Sequence, residues 1–166
     1  MTENELLLIA TQVIKKIKKN NFTLSVAESC TGGWLSKILT DVSGVSAVYK
    51  GGVCSYSNEV KVNLLGVSEE ALATEGAVSS IVATQMATGV RKALNTDIGV
   101  GITGIAGPNS DNTSKPIGLI FIAVADENGV KVTQLNNTFT ENVRNNNRLS
   151  ALNTALNILS STGDYK

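Results

Sequence analysis

The chain has 166 residues, 42% of them hydrophobic and 17% charged, which suits one globular domain with a buried core and argues against disorder. Its formal net charge of zero excludes bulk attraction to nucleic acid or to an anionic membrane surface. It contains no histidine, which excludes a Ser-His-Asp triad, a Cys-His pair and a histidine-ligated zinc site. A hydrolase built on this chain must take its base from lysine, a carboxylate or a tyrosine.

Taken in order, Thr2-Glu-Asn-Glu5 predicts a capping box ahead of a helix with apolar residues at Leu6, Ile9, Ala10, Val13, Ile14 and Ile17. Acidic residues precede the apolar run and lysines follow it, the reverse of a secretion signal. No apolar run reaches membrane-spanning length, so a cytoplasmic protein is expected. Cys30 and Cys54 have neither metal-ligand spacing nor a disulfide framework. Leu24–Ala27 reads as a strand, and a Ser-Cys-Thr-Gly-Gly turn leads into a helix over 32–39. Ala47–Tyr56 reads as a strand, with Gly51-Gly52 marking a bulge or a close backbone approach.

Ser57 is the expected N-cap of a helix running to Leu65, and a second helix is expected from Ser68. A third runs from Ser79 to Leu94, with Val82, Met86, Val90 and Ala93 on one face. Asp97–Ile105 predicts a buried strand. A polar loop follows over 107–116, then strands over 117–125 and 130–138 joined by Glu127-Asn128-Gly129, a hairpin signal. The last helix is expected over 142–160, with Leu149, Leu152, Leu156 and Leu159 facing inward. Together these elements predict a single α/β domain across 1–166, with helices on both faces of a mixed sheet.

Gly99-Val-Gly-Ile-Thr-Gly104 matches the dinucleotide fingerprint letter for letter. Its glycines, however, lie inside an apolar strand and precede a proline-bounded loop, not a helix. The expected role is close approach of another backbone or a ligand. Ser29 is the candidate nucleophile, at a strand-to-helix turn with bare backbone amides that could form an oxyanion hole. N-capping is its bland alternative, and Thr31 could cap equally well. Lys61 is the candidate base: it lies near a helix start, where its ammonium form is disfavoured, and burial would lower its pKa further.

Four stretches carry a family resemblance: Ala27-Glu-Ser-Cys-Thr-Gly-Gly33, Tyr56-Ser-Asn-Glu-Val-Lys61, Gly104-Ile-Ala-Gly-Pro108 and Lys115-Pro-Ile-Gly118. They resemble, in this order, the CinA C-terminal domain family. Stand-alone members of that family hydrolyse the carboxamide of nicotinamide mononucleotide to nicotinate mononucleotide and ammonia. The resemblance implies a three-layer α/β/α fold, a homodimer, and a serine amidohydrolase of pyridine nucleotide salvage that uses a Ser/Lys pair without metal or cofactor. It implies Ser29 as nucleophile, Lys61 as base, Tyr56 as their assistant and Ser46 as the alternative nucleophile. Cys30, Thr31, Gly32, Gly33, Thr103, Gly104, Lys115 and Arg144 are the expected substrate-binding residues, with Lys115, Arg144 or glycine-rich backbone as donors to the phosphate.

The family's F-x-G-x-R pattern is altered in Phe139-Thr-Glu-Asn-Val-Arg144. Aligned without a gap, its glycine falls on Glu141 and its arginine on Val143, so Arg144 takes the role only with a one-residue shift. Two other functions fit the same residues: a catalytically silent nucleotide- or phosphate-binding module, and an amidase for another small carboxamide.

Overall fold

The computed structural model describes residues 1–161; the last five residues of the expected domain lie outside the described residues. The chain begins with α1 (Glu3–Lys19). Thr2 Oγ1 accepts from the Glu5 amide at 3.3 Å, and the Glu5 carboxylate accepts from the Thr2 amide at 2.7 Å, completing the expected capping box. There follow β1 (Leu24–Glu28), α2 (Trp34–Thr40), a 3-10 turn (Val45–Ala47) and β2 (Tyr49–Cys54). Next come α3 (Asn58–Leu65), α4 (Glu69–Thr74), α5 (Ser80–Ala93) and β3 (Ile98–Gly104). The antiparallel pair β4 (Leu119–Asp126) and β5 (Gly129–Asn136) precedes the last helix, α6 (Val143–Ser161).

The five strands form one mixed sheet in the order β2-β1-β3-β4-β5. β1 pairs in parallel with β2 and β3, whereas β4 is antiparallel to both its neighbours. Helices α1, α2 and α6 cover one face over Leu24, Val26, Ile98, Val100, Ile102, Ile120 and Ile122. Helices α3, α4 and α5 cover the other over Ala27, Phe121, Ala123 and Ala125. This is the expected three-layer α/β/α domain.

Several boundaries move for identifiable reasons. α2 begins at Trp34 and not at Gly32, because Gly32 and Gly33 have φ of 61° and 89°, a left-handed backbone that cannot start an α-helix. β2 begins at Tyr49, since the residues before it close the 3-10 turn. The pairing with β1 jumps from Leu24↔Tyr49 to Ser25↔Gly51, so Lys50 is the extra residue of the expected bulge. In the β4–β5 hairpin Asp126 pairs with Gly129, which makes Glu127-Asn128 the turn and Gly129 the first residue of β5. The Asp126 carboxylate accepts from the Asn128 amide at 2.7 Å across that turn.

The glycine run in β3 serves packing. A Cβ on Gly101 would lie 2.4 Å from the Ala83 carbonyl oxygen, and one on Gly99 would lie 2.2 Å from that of Ala87. Both glycines let α5 sit directly on the central strand, which is the close backbone approach expected in place of a dinucleotide site.

The topology also fixes where chemistry can occur. The chain leaves β1 through α2 to reach β2 on one side, then crosses back through α3, α4 and α5 to β3 on the other. The carboxyl ends of β1 and β3 therefore flank a reversal of strand order, the place where open α/β sheets bind ligands. Ser29 follows β1 there, and Thr103 and Gly104 close β3.

Candidate active site

A cleft of about 290 Å³ opens at these strand ends, walled by the turn after β1, the start of α3, and the loop after β3. Ser29, Cys30, Tyr56, Lys61, Thr103, Gly104 and Arg144 all line it. The structure thus brings together seven of the expected site residues from five separate parts of the chain.

At its floor lie Ser29 and Lys61. Lys61 Nζ is 3.2 Å from Ser29 Oγ, 2.7 Å from the Ser55 carbonyl oxygen and 3.3 Å from that of Tyr56. Lys61 is 1% exposed and among the largest fully buried side chains of the molecule. Burial pushes its pKa below the usual lysine value, with the Cys30 and Cys54 side chains acting weakly in the opposite sense. No carboxylate forms an ion pair with it among the described residues. A neutral amine has two N–H bonds and one lone pair, so the two carbonyls can take both donors and leave the lone pair to the Ser29 hydroxyl. The Ser29 hydroxyl and the Lys61 amine thus stand within hydrogen-bond distance at the cleft floor.

The turn that carries Ser29 is held by a residue the sequence reading passed over. Glu28, 1% exposed, ends β1 with its carboxylate turned beneath α2. It accepts from the Leu35 amide at 3.0 Å, the Ser36 amide at 2.8 Å and Ser36 Oγ at 2.8 Å. The positive end of α2 is therefore satisfied internally, so the expected anion site at that helix start is already occupied. Thr31 does not cap; its hydroxyl is buried without a hydrogen-bond partner among the described residues. The signal available in sequence was a lone acid within an otherwise mostly apolar strand, since buried acids demand partners.

The backbone of the turn offers fewer donors than its five residues suggest. The Ser29 amide donates to Ile102 O at 3.0 Å, and the Gly32 amide to Ser29 O at 3.1 Å. The Cys30, Thr31 and Gly33 amides have no backbone partner among the described residues; of these three residues only Cys30 lines the cleft, so its amide is the candidate oxyanion donor. The Cys30 thiol, buried beside Ser29, has its pKa pushed up to about 12 by burial, so it stays protonated at neutral pH.

Other expected residues fall differently. Tyr56 is 64% exposed, lines the cleft and accepts from Lys61 Nζ through its carbonyl. Thr103 donates its hydroxyl to Ala77 O at 2.8 Å, tying β3 to the segment ahead of α5. Gly32, Gly33 and Thr31 shape the turn without lining the cleft. Lys115 is spent on the carbonyl oxygens of Glu75 and Val78, the latter at 2.6 Å, and does not line the cleft. Ser46 is exposed in the 3-10 turn before β2. Tyr49 pairs with the start of β1, whereas Ser29 follows its end, so Ser46 stands at the opposite end of these strands from Ser29.

Arg144 does line the cleft despite the altered motif, and its Nη1 donates to Gly107 O at 2.8 Å. The chain turns through Asn142, at φ 45°, just before α6, which carries Arg144 in its first turn. Among the described residues no cluster of three or more His, Cys, Asp or Glu side chains is placed to hold a metal ion.

Comparisons with known proteins agree with this architecture. Residues 7–162 match the family model described as the CinA C-terminal domain. The nicotinamide-nucleotide amidohydrolase PncC of Escherichia coli K12 is 44% identical over 134 residues, which cover 81% of each chain. A CinA-like protein of Picosynechococcus is 59% identical over 104 residues, 63% of this chain, but the match spans only 25% of that longer protein. Among solved structures, the competence/damage inducible protein CihA of Agrobacterium tumefaciens superposes with a TM-score of 0.88 at 35% identity, covering 97% of this chain and 96% of the other. A CinA superfamily protein of Klebsiella pneumoniae superposes with a TM-score of 0.91 at 28% identity, covering 97% and 99%. The chain belongs to the CinA C-terminal domain family.

Proposed function

We propose that this protein is an amidohydrolase that converts nicotinamide mononucleotide to nicotinate mononucleotide and ammonia through an acyl-enzyme on Ser29. The observation that carries the reading is the 3.2 Å approach of a buried lysine amine to the Ser29 hydroxyl at the floor of the cleft. The 44% identity to an enzyme named for this substrate class supports the choice of amide.

Neutral Lys61 takes the Ser29 proton as Oγ attacks the carboxamide carbon. Negative charge develops on the carboxamide oxygen, where the Cys30 amide is the candidate donor. The protonated Lys61 then passes its proton to the departing nitrogen, and ammonia leaves as the C–N bond breaks. Water enters, gives a proton to Lys61 and attacks the acyl carbon. The C–Oγ bond breaks, the proton returns to Ser29, and nicotinate mononucleotide is released. The positive charge on the pyridinium ring makes the carboxamide more electrophilic, which suits a base with no histidine or carboxylate behind it.

Arg144, with its remaining guanidinium donors at the cleft mouth, is the proposed contact for the 5′-phosphate. Tyr56 is proposed to wall the pyridinium ring. Ser29 is preferred to Ser46 because only Ser29 touches a base. The same reading takes the protein to be a cytoplasmic homodimer acting in pyridine nucleotide salvage; no helix among the described residues is long and apolar enough to cross a membrane.

Ammonia release from nicotinamide mononucleotide by the purified protein tests the proposal. Steady release with one equivalent of nicotinate mononucleotide per ammonia is expected. Tight binding of the nucleotide with no ammonia would instead identify a silent binding module, and release only from other carboxamides would reassign the substrate.

A further inference from the structure

Three polar residues share one face of α6 near its start: Arg144, Asn147 and Arg148, at spacings of three and four. Each donates to a backbone carbonyl of a loop beside the cleft. Arg144 Nη1 reaches Gly107 O at 2.8 Å, and Asn147 Nδ2 reaches Ala106 O at 3.0 Å. Arg148 Nη2 reaches Thr31 O at 2.5 Å, in the turn that carries Ser29. One helix therefore grips both loops across the strand reversal.

Arg148 holds a second grip. Its guanidinium lies over the Trp34 ring, 4.9 Å from the centroid, and Trp34 opens α2 directly after the turn. Trp34 Nε1 in turn donates to Glu3 on α1 at 2.9 Å. The turn is thus tied to α6 through the Arg148 guanidinium and, by way of Trp34, to α1, in addition to the Glu28 contacts beneath α2. No carboxylate forms an ion pair with Arg148 among the described residues, and its Nε is buried without a hydrogen-bond partner among them. A residue kept only for stability would be expected to have its charge neutralised and its donors satisfied. This one is an uncompensated cation pressed on the Thr31 carbonyl, two residues from Ser29. Its field also reaches the adjacent Cys30 thiol, which it favours in the anionic form.

We infer that Arg148 is a positioning residue for the reaction: it fixes the Thr31–Gly32 peptide so that the turn presents Ser29 to Lys61. Two consecutive left-handed glycines leave this turn more backbone freedom than other residue types would, so the Arg148 contact adds to its internal Gly32–Ser29 and Trp34–Thr31 hydrogen bonds in holding its conformation. The inference rests on the amide-hydrolysis reading for its kinetic consequence but not for its structural one.

The test compares the full-length protein with Arg148→Met and Arg148→Lys. Arg148→Met is expected to lower kcat about 100-fold, the scale of a small misplacement of a reacting group, with KM within about threefold of wild type. Arg148→Lys keeps the charge but loses the planar fork and the stacking, and falls between the two. Amide hydrogen exchange over residues 29–34 should accelerate at least about tenfold in Arg148→Met, with β3 unchanged. Wild-type kcat in a folded Arg148→Met protein, or unaltered exchange over 29–34, overturns the inference. Should Arg148→Met not fold, Arg148→Lys decides by the same two readouts. If the wild type releases no ammonia, the proposed reaction fails, while Arg148 is still judged by exchange.

Discussion

Lys61 Nζ approaches Ser29 Oγ to 3.2 Å while the carbonyls of Ser55 and Tyr56 stand ready to take its two remaining N–H bonds. The relationship spans two crossings of the sheet edge: Ser29 leaves β1, and Lys61 sits one turn into α3 after β2. It exists because β1 and β2 run parallel and in register to their ends, where Glu28 pairs with Cys54 and the Ser55 amide continues the ladder to Glu28 O at 2.8 Å.

This pairing sets the pH dependence. Burial lowers the Lys61 pKa, and in the proposed mechanism Lys61 acts when neutral, so kcat should rise with pH as Lys61 loses its proton, at a midpoint below the usual lysine value of 10.5. The protein has no histidine to supply a competing limb near neutrality. A rate profile over pH 6 to 10 checks this, and activity that falls steadily as pH rises would contradict it.

Stability should carry the same signature. The folded-state pKa of Lys61 lies below its unfolded value, so between the two the unfolded chain binds the extra proton. Stability then rises with pH across that window, with a limiting slope of about 1.4 kcal/mol per pH unit. Below the folded pKa the burial penalty is constant; above the unfolded pKa it vanishes. Relative to Lys61→Met, the wild type should therefore gain stability as pH climbs toward 10.5. Urea unfolding of both proteins at several pH values measures the difference, and parallel pH profiles would rule out an ammonium-disfavouring site.

Glu28 should matter as a cap beneath the nucleophile turn. Removing its carboxylate in Glu28→Ala strips partners from two amides and one hydroxyl at the start of α2, at a cost of about 3 kcal/mol. Glu28→Gln keeps an acceptor oxygen and should lose less than half of that. Thermal unfolding ranks the two, and equal losses would show that charge, not acceptance, holds the cap.

Much of this arrangement was legible in the sequence because local signals and tertiary placement agree. The Thr2 capping box, the leucine stripe of α6, the Ser57 cap, the helix start at Ser68 and the apolar β3 are all found near where the sequence puts them. Ser29 and Lys61 stood out because the absence of histidine narrowed the search for a base. What escaped were roles decided by long-range contact. Glu28 and Arg148 act through backbone groups of segments distant in sequence or across a turn, which no spacing rule encodes. Lys115 looked like a phosphate ligand by charge, yet its ammonium is consumed by the Glu75 and Val78 carbonyls. Thr31 looked like a cap, but the two glycines after it delay the helix beyond its reach.

The β3 glycines give a test of the packing account. Gly101→Ala would drive a methyl group to 2.4 Å from the Ala83 carbonyl oxygen, a contact the backbone of α5 must move to relieve. Overpacking of this kind costs about 1–3 kcal/mol or more, and because α5 supports the segment that meets Thr103, some activity should be lost as well. Retention of the wild-type urea midpoint by Gly101→Ala would refute the close approach of helix and strand.

The central claim is that Ser29 and Lys61 work as one unit, and a double-mutant comparison of ammonia release from nicotinamide mononucleotide tests it most directly. Ser29→Ala and Lys61→Ala should each reduce kcat by about 1,000-fold or more, and the double variant should be no slower than the worse single one. Wild-type turnover in either single variant, or losses that multiply in the double, would contradict the pairing.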